Sequence, residues 1–505
     1  MAAVKSMFAL MMMGVLLTVP MTALAGELTA GDVNDNLQFD YYLDYLAHTL
    51  QNNTDLPRLT VADRVIIKVV DGDGLPVSHA RVAITADGAN SSLIESYTSS
   101  AGLFYFFPEH DGAGSEEKFT VVARPPEQKA VKAELKLDLG ELGSKRTVVL
   151  AIPDYHTAKP LSLDIVFTID VTGSMSDELK YLTSEFQSII GDIAAGFPNV
   201  SMRFGLVVYR DHGDRFVIKS YGFTDSLQTM QDQLAEQKAE GGGDYEEAVD
   251  EALETAVAFP WREGNTVRML FHVGDAPPHD EKLSAALEPV EKARRQGVQM
   301  FTLAGSGVQD IAEYMMRAEA LLTTGRYCFL TDDSGIGGSH EKPHICCYVV
   351  TLLDDLIYRI VASELAGYRI EPNETQIIRT VGNYTNGTCP EEGECCGNGT
   401  AGSGSTTPTV TTPTFYGGGA RTGESGSLPS SEVLRFGSSP EPSHLLTARE
   451  GSESEDESSS SSPPASKERT SAHASFGMTG MAAGAAIALV ICLKLLTVRD
   501  RRKKD

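Results

Sequence analysis

DIVFTIDVTGSMSD, residues 164–177, is the stretch on which the fold turns. An apolar strand runs into Asp170, and Thr172 and Ser174 follow at alternate positions as a D-x-T-x-S triplet. A strand end delivers one carboxylate, and the loop after it can turn two hydroxyls to the same point, giving the hard oxygen ligands that Mg2+ prefers. The same residue types are ordinary helix N-caps. A helix does follow, with Leu179, Leu182, Phe186 and Ile189 at helical spacing. The triplet alone therefore suits a capped helix as well as a cation.

Two further segments break the tie. GGGDYEEAVDEAL, residues 241–253, brings Asp244, Glu246 and Glu247 to the start of a helix, where carboxylates also complement the helix dipole. VRMLFHVGDAPPH, residues 267–279, is a buried-type strand that ends at Asp275, before two prolines that stop any helix. Strands are expected at 163–170, 202–210, 267–274, 298–304 and 327–331. Helices are expected near 178–194, 226–238, 245–258, 281–296, 308–323 and 349–366. That alternation predicts an α/β fold with a doubly wound, mostly parallel sheet. Its three acid-bearing loops would converge at the C-terminal edge of the strands, where such sheets place ligands.

In their order, DVTGSMSDEL, MRFGLVVYRD, GGGDYEEAV and FHVGDAPPH resemble the von Willebrand factor type A domain and its metal-ion-dependent adhesion site. The resemblance covers residues 161–368 and is closest in detail to the I-like domain of integrin β subunits. It implies that Asp170, Thr172, Ser174 and Asp275 contact a Mg2+ or Mn2+ ion, with Glu247 as the remaining ligand and Asp244 as the alternative. Asp177 and Glu178 stand where that branch has an adjacent acidic pair, which implies a Ca2+ option there. Glu246 departs from the pattern, since the family has proline at that position. Tyr209, Asp211, His212 and His279 are candidates for the ligand face. The function implied is a receptor whose cation captures an acidic group of a protein partner. The alternative is an accessory subunit that binds a neighbouring membrane protein, with the metal stabilising the fold.

Nothing in the sequence supplies an enzyme's machinery: there is no H-E-x-x-H, G-x-S-x-G or P-loop pattern. Asp211, His212 and Asp214 read as a solvated loop rather than an acid-base pair. The 505 residues carry a formal charge of -27, which argues against nucleic acid or anionic membrane as a partner through bulk charge.

The remaining segments point to a single-pass type I membrane glycoprotein with its N-terminus outside. Residues 1–25 read as a signal peptide ending in Ala23-Leu24-Ala25, and 476–498 as a transmembrane helix followed by a basic tail, 499–505. Gly480 and Gly484 hint at a weak homodimer through that helix. The cell surface is expected, although an internal membrane is open. Residues 384–475 are rich in Ser, Thr, Gly and Pro and read as a disordered acidic stalk. N-x-S/T sequons occur at Asn52, Asn90, Asn199, Asn373, Asn383, Asn386 and Asn398. Cys328, Cys346, Cys347, Cys389, Cys395 and Cys396 make an even set suited to disulfides. Zinc held by Cys346, Cys347, His340 and His344 is the alternative.

Between the signal peptide and the α/β region, residues 26–62 hold an amphipathic helix with Phe39, Tyr42, Leu43, Leu46 and Leu50 on one face. Residues 63–152 change to short β-branched runs, which predict a small all-β sandwich. DGDGLPVSHARVAI followed by TSSAGLFYFFP resembles the carboxypeptidase-regulatory-like, prealbumin-like sandwich. That domain is expected to act as a spacer or packing partner.

Overall fold

A computed structural model describes residues 28–390. The expected signal peptide, most of the expected stalk, Cys395, Cys396, Asn398, the expected transmembrane segment with Gly480 and Gly484, and the basic tail lie outside the described residues. Among the described residues no helix is long and apolar enough to cross a membrane.

The chain opens with strand β1 (Thr29–Val33) and helix α1 (Phe39–Asn52). Seven strands follow: β2 (Val65–Asp71), β3 (Arg81–Ala86), β4 (Ile94–Tyr97), β5 (Leu103–Phe106), β6 (Lys118–Arg124), β7 (Ala133–Asp138) and β8 (Thr147–Ile152). They form two sheets, ordered β5-β2-β8 and β4-β3-β6-β7. Along β6 the side chains alternate, and Phe119, Val121 and Ala123 point inward to meet Val65, Ile67 and Val69 of β2 in one apolar core.

The second half alternates strands and helices: β9 (Ser162–Asp170), α2 (Leu179–Gly196), β10 (Ser201–Tyr209), β11 (Ile218–Thr224), α3 (Leu227–Ala235) and α4 (Val249–Val257). It continues with β12 (Thr266–Gly274), α5 (Leu287–Gln296), β13 (Gln299–Ala304), α6 (Asp310–Leu322), β14 (Arg326–Thr331), β15 (Tyr348–Leu352), α7 (Leu353–Ala366) and β16 (Arg379–Val381). Nine strands form one sheet in the order β11-β10-β9-β12-β13-β14-β1-β15-β16. The run from β10 to β14 is parallel, and β1 joins it antiparallel.

Helices cover both faces of this sheet, so a central strand must be apolar at nearly every position. In β9, Leu163, Ile165, Phe167 and Ile169 pack under α2, α3 and α7, whereas Val166 faces α4, α5 and α6. Truncating a residue such as Phe186, fully buried on α2, would cost about 3–5 kcal/mol.

The structure differs from the sequence expectations in several places. The large sheet is not confined to 161–368, because β1 lies between β14 and β15. The two smaller sheets are thus an insertion between the first and second strands of the large one. The expected helix at 349–366 is β15 followed by α7. The helix expected from 245 starts at Val249, and the one expected from 281 starts at Leu287 after a short 3-10 turn.

Buried ion pairs tie the early segment down. Arg317 of α6 meets Asp35 at 2.7 Å and Glu313 at 3.0 Å, and Asp32 receives Arg326 at 3.4 Å and Arg369 at 3.2 Å. The inserted sheets dock on α5, where Arg294 pairs with Asp111 at 2.6 Å and donates to the Tyr105 carbonyl at 2.9 Å. His110 adds a 2.7 Å contact to Glu291.

The cysteines exclude the zinc alternative. Cys347 is bonded to Cys389, Cys346 is also in a disulfide, and Cys328 is a buried free thiol. The expectation that Cys328 joins a disulfide is likewise overturned. Asn52, Asn90, Asn199, Asn373, Asn383 and Asn386 are all exposed.

Candidate functional site

Asp170 is the last residue of β9, and its neighbours across the sheet are Tyr209 of β10 and the end of β12. Its Oδ1 accepts from the Thr172 backbone N–H at 2.8 Å and from the Thr172 hydroxyl at 2.7 Å. The Thr172 and Ser174 hydroxyl oxygens are 3.0 Å apart, and Ser174 donates to Asp275 Oδ1 at 3.1 Å. Four side chains from two strand ends thus form one continuous chain of oxygens. Asp170 and Thr172 are fully buried, while Ser174 is open to solvent.

The glycine-rich loop crosses over this chain. Gly241 and Gly242 have φ of +88° and +75°, a left-handed conformation that favours glycine. The loop is held by Gly173 N–H donating to the Gly241 carbonyl at 3.0 Å and by Gly242 N–H donating to Asp214 at 2.8 Å. Glu247 follows in extended pairing beside Pro278, with its N–H bonded to the Pro277 carbonyl at 3.0 Å. That bond explains why the helix starts two residues later. A Cβ on Gly242 would sit 3.1 Å from Glu247 Oε1 and 3.3 Å from the Thr172 Cβ, so the Glu247 carboxylate lies directly beneath the loop and beside Thr172.

Three carboxyl groups are thereby buried together. Burial pushes Asp170 up to about 6, and burial followed by the charge of Asp170 pushes Asp275 to about 7 and Glu247 to about 9. Asp170 Oδ2 and Glu247 Oε2 have no hydrogen-bond partner among the described residues. An unpaired buried carboxylate oxygen is costly, and a bound cation would relieve it.

The other candidates are placed differently. Asp244 is exposed on the rim, where its carboxylate, that of Glu246 and a His279 ring nitrogen lie within 4.8 Å of one another. Of the two carboxylates considered as the remaining ligand, only Glu247 lies beside Thr172. His279 Nε2 is 2.7 Å from Asp211, whose hydrogen bond raises the imidazole above its ordinary value. His212 is exposed and pairs with Glu251 at 2.8 Å.

Tyr209 is not on the ligand face. It is fully buried and its hydroxyl is 3.0 Å from His272 Nε2. Asp177 and Glu178 sit in different surroundings: Asp177 is exposed, whereas Glu178 is fully buried. Glu178 accepts from Ser306 N–H at 2.9 Å and stands 2.8 Å from His340 Nε2. Burial alone would lower the His340 imidazole, but Glu178 and Asp332 together raise it.

Sequence reasoning missed the part of Asp214 in holding the loop, and the Ser306 and His340 contacts to Glu178. The first had a signal, since Asp214 closes the YRDHGD turn at the end of β10. The others come from loops without a pattern of their own.

Residues 164–334 match the family model of the von Willebrand factor A domain. The chain carries a von Willebrand factor A domain. The match begins at Asp164 in β9 and does not reach the inserted sheets. A curated relative, an ariadne-like RING finger protein of Acanthamoeba polyphaga mimivirus, is 29% identical over 117 residues, 23% of this chain. The chain spans only 11% of that relative's length. Among solved structures, the conserved hypothetical protein BatB from Bacteroides thetaiotaomicron aligns over 40% of this chain and 99% of its own, at 13% identity and a TM-score of 0.27. Von Willebrand factor A domains often bind divalent cations and serve in protein interaction, and both properties bear on the carboxylates gathered here.

Proposed function

We propose that the von Willebrand factor A domain is a metal-dependent binding module rather than an enzyme. Asp170, Thr172, Ser174, Glu247 and Asp275 would hold a Mg2+ or Mn2+ ion in the manner of a metal-ion-dependent adhesion site. The observation that carries this reading is the pair of buried, unpartnered oxygens, Asp170 Oδ2 and Glu247 Oε2, beside two hydroxyls. The two hydroxyls are neutral ligands, and the opening at Ser174 leaves the ion a position at which to take a carboxylate oxygen from a protein partner. Thr172 is fixed by its bonds to Asp170, and Ser174 opens the set to solvent. Asp211 and His279 border the approach.

The signal peptide, sequons and apolar C-terminal stretch support a membrane-anchored receptor with this domain outside the membrane. Ca2+ at an adjacent site would rest on Glu178 Oε2, which is buried without a hydrogen-bond partner among the described residues, since the Ser306 N–H and the His340 ring both engage Oε1.

A soluble fragment, residues 26–390, tests the reading in a partner screen run in Mg2+ and in EDTA. Binding in Mg2+ that is lost in EDTA, and lost on Thr172→Ala, is the expected result. If every reproducible partner binds equally well in chelator, the ion serves the fold and the accessory-subunit reading takes over.

A further inference from the structure

Below the carboxylates lies a buried polar chain that the cation reading does not use. Glu319 of α6, His272 of β12 and Tyr209 of β10 are each at most 1% exposed. Glu319 Oε2 is 2.9 Å from His272 Nδ1, and His272 Nε2 is 3.0 Å from the Tyr209 hydroxyl. The imidazole thus bridges the carboxyl group of one element and the phenol of another through its two ring nitrogens.

The path of this chain matters. Strand β9 lies between β10 and β12, so the Tyr209 side chain must cross β9 to reach His272. It crosses at Asp170, its register partner. Gly274 completes the same row, where an added Cβ would fall 2.6 Å from the Tyr209 hydroxyl and 3.3 Å from the Asp170 Cβ. The phenol, Asp170 and the Gly274 backbone are therefore packed without slack, and the aromatic ring forms the floor beneath the carboxylate.

We infer that Tyr209, His272 and Glu319 are positioning residues, a strut from α6 that holds the Asp170 carboxylate in place for the cation. This rests on the cation reading above. A partnerless carboxylate oxygen gains no orientation from hydrogen bonds of its own, so its direction is set by the Thr172 bonds on one side and this floor on the other. Partners behind a metal ligand orient it, and their loss typically lowers metal affinity about 10–100-fold. Glu319 is the informative member, because it is on another element and reaches Asp170 only through the two intervening side chains.

The test is Mn2+ uptake by the full chain, read from loss of the free Mn2+ electron paramagnetic resonance signal, with melting temperature in EDTA measured alongside. Tyr209→Phe keeps the floor but cuts the strut, and Glu319→Ala cuts it at the far end. Both should lower Mn2+ affinity about tenfold, and Glu319→Gln, which keeps an acceptor for His272, should restore most of it. Tyr314→Phe removes a buried hydroxyl on the same helix that bonds the Pro57 carbonyl, away from Asp170, and should lower only the melting temperature. The inference is overturned if Tyr209→Phe, or Glu319→Ala where the first variant does not fold, binds Mn2+ as the wild type does. A wild-type chain that takes up no Mn2+ sinks the cation reading itself, and this inference with it.

Discussion

Replacing Asp170 by asparagine should stabilise the metal-free protein at high pH and abolish its response to Mg2+. Burial raises the Asp170 carboxyl from its ordinary 3.8 to about 6, against the Thr172 hydrogen bonds that lower it. A carboxyl with a raised folded value keeps its proton in the folded state after the unfolded state has lost it. Stability therefore falls as pH rises from about 4 to about 6, and the full penalty persists above that range. For Asp170 alone the penalty is roughly 3 kcal/mol. The asparagine amide would keep an acceptor for the two Thr172 bonds while removing the charge. At about 2 °C per kcal/mol, the metal-free Asp170→Asn variant should melt roughly 4–6 °C above the wild type at pH 8 and show no such gain at pH 4. Scanning calorimetry in EDTA across that range measures the difference, and a second scan in Mg2+ should favour the wild type only. A variant-minus-wild-type difference in EDTA that does not grow with pH would refute the reasoning.

Other expectations concern the scaffold. A fragment spanning 161–368 lacks β1 and should give no cooperative melting transition, whereas 28–390 should give one by circular dichroism. Cys347→Ser with Cys389→Ser removes a link across a sequence separation of 42 residues and should cost about 4 kcal/mol in denaturant titration. Asp35→Ala leaves the buried Arg317 with Glu313 and the His344 carbonyl, and a loss of about 3–5 kcal/mol is expected in the same assay. Gly242→Ala puts a methyl against Glu247 at a positive φ, so Mn2+ affinity should fall more than the melting temperature in EDTA does.

The parallel strands β9, β10, β12, β13 and β14 are legible because doubly covered strands are written as nearly unbroken apolar runs. Strand β1 is not, since TAGDV has no strand pattern of its own. It is a strand because Gly31 lets the rings of Phe329 and Tyr348 close over it, a tertiary demand with no local signature. The run YVVTL before α7 fits either period, and pairing with β1 on one side and β16 on the other decides it. At the site, the triplet and Asp275 can be named from the sequence because strand ends fix their direction. The separation of Asp244 from Glu247 cannot, because a bond between Glu247 N–H and the Pro277 carbonyl sets it. Tyr209 escapes for a related reason: its side chain crosses a strand, and nothing in YRDHGD announces that.

The place of β1 also governs the order in which a ribosome-bound chain can close. Thr29 hydrogen-bonds to Thr331, 302 residues further on, so β1 leaves the exit tunnel long before its neighbours exist. At roughly 5–20 residues per second that wait lasts about 15–60 s. The two inserted sheets, complete by Ile152, can assemble meanwhile and present the face that later receives α5. The slot between β14 and β15 is not complete until Leu352 has been made, and until β1 fills it the two edges are available to a chaperone or to a second nascent chain.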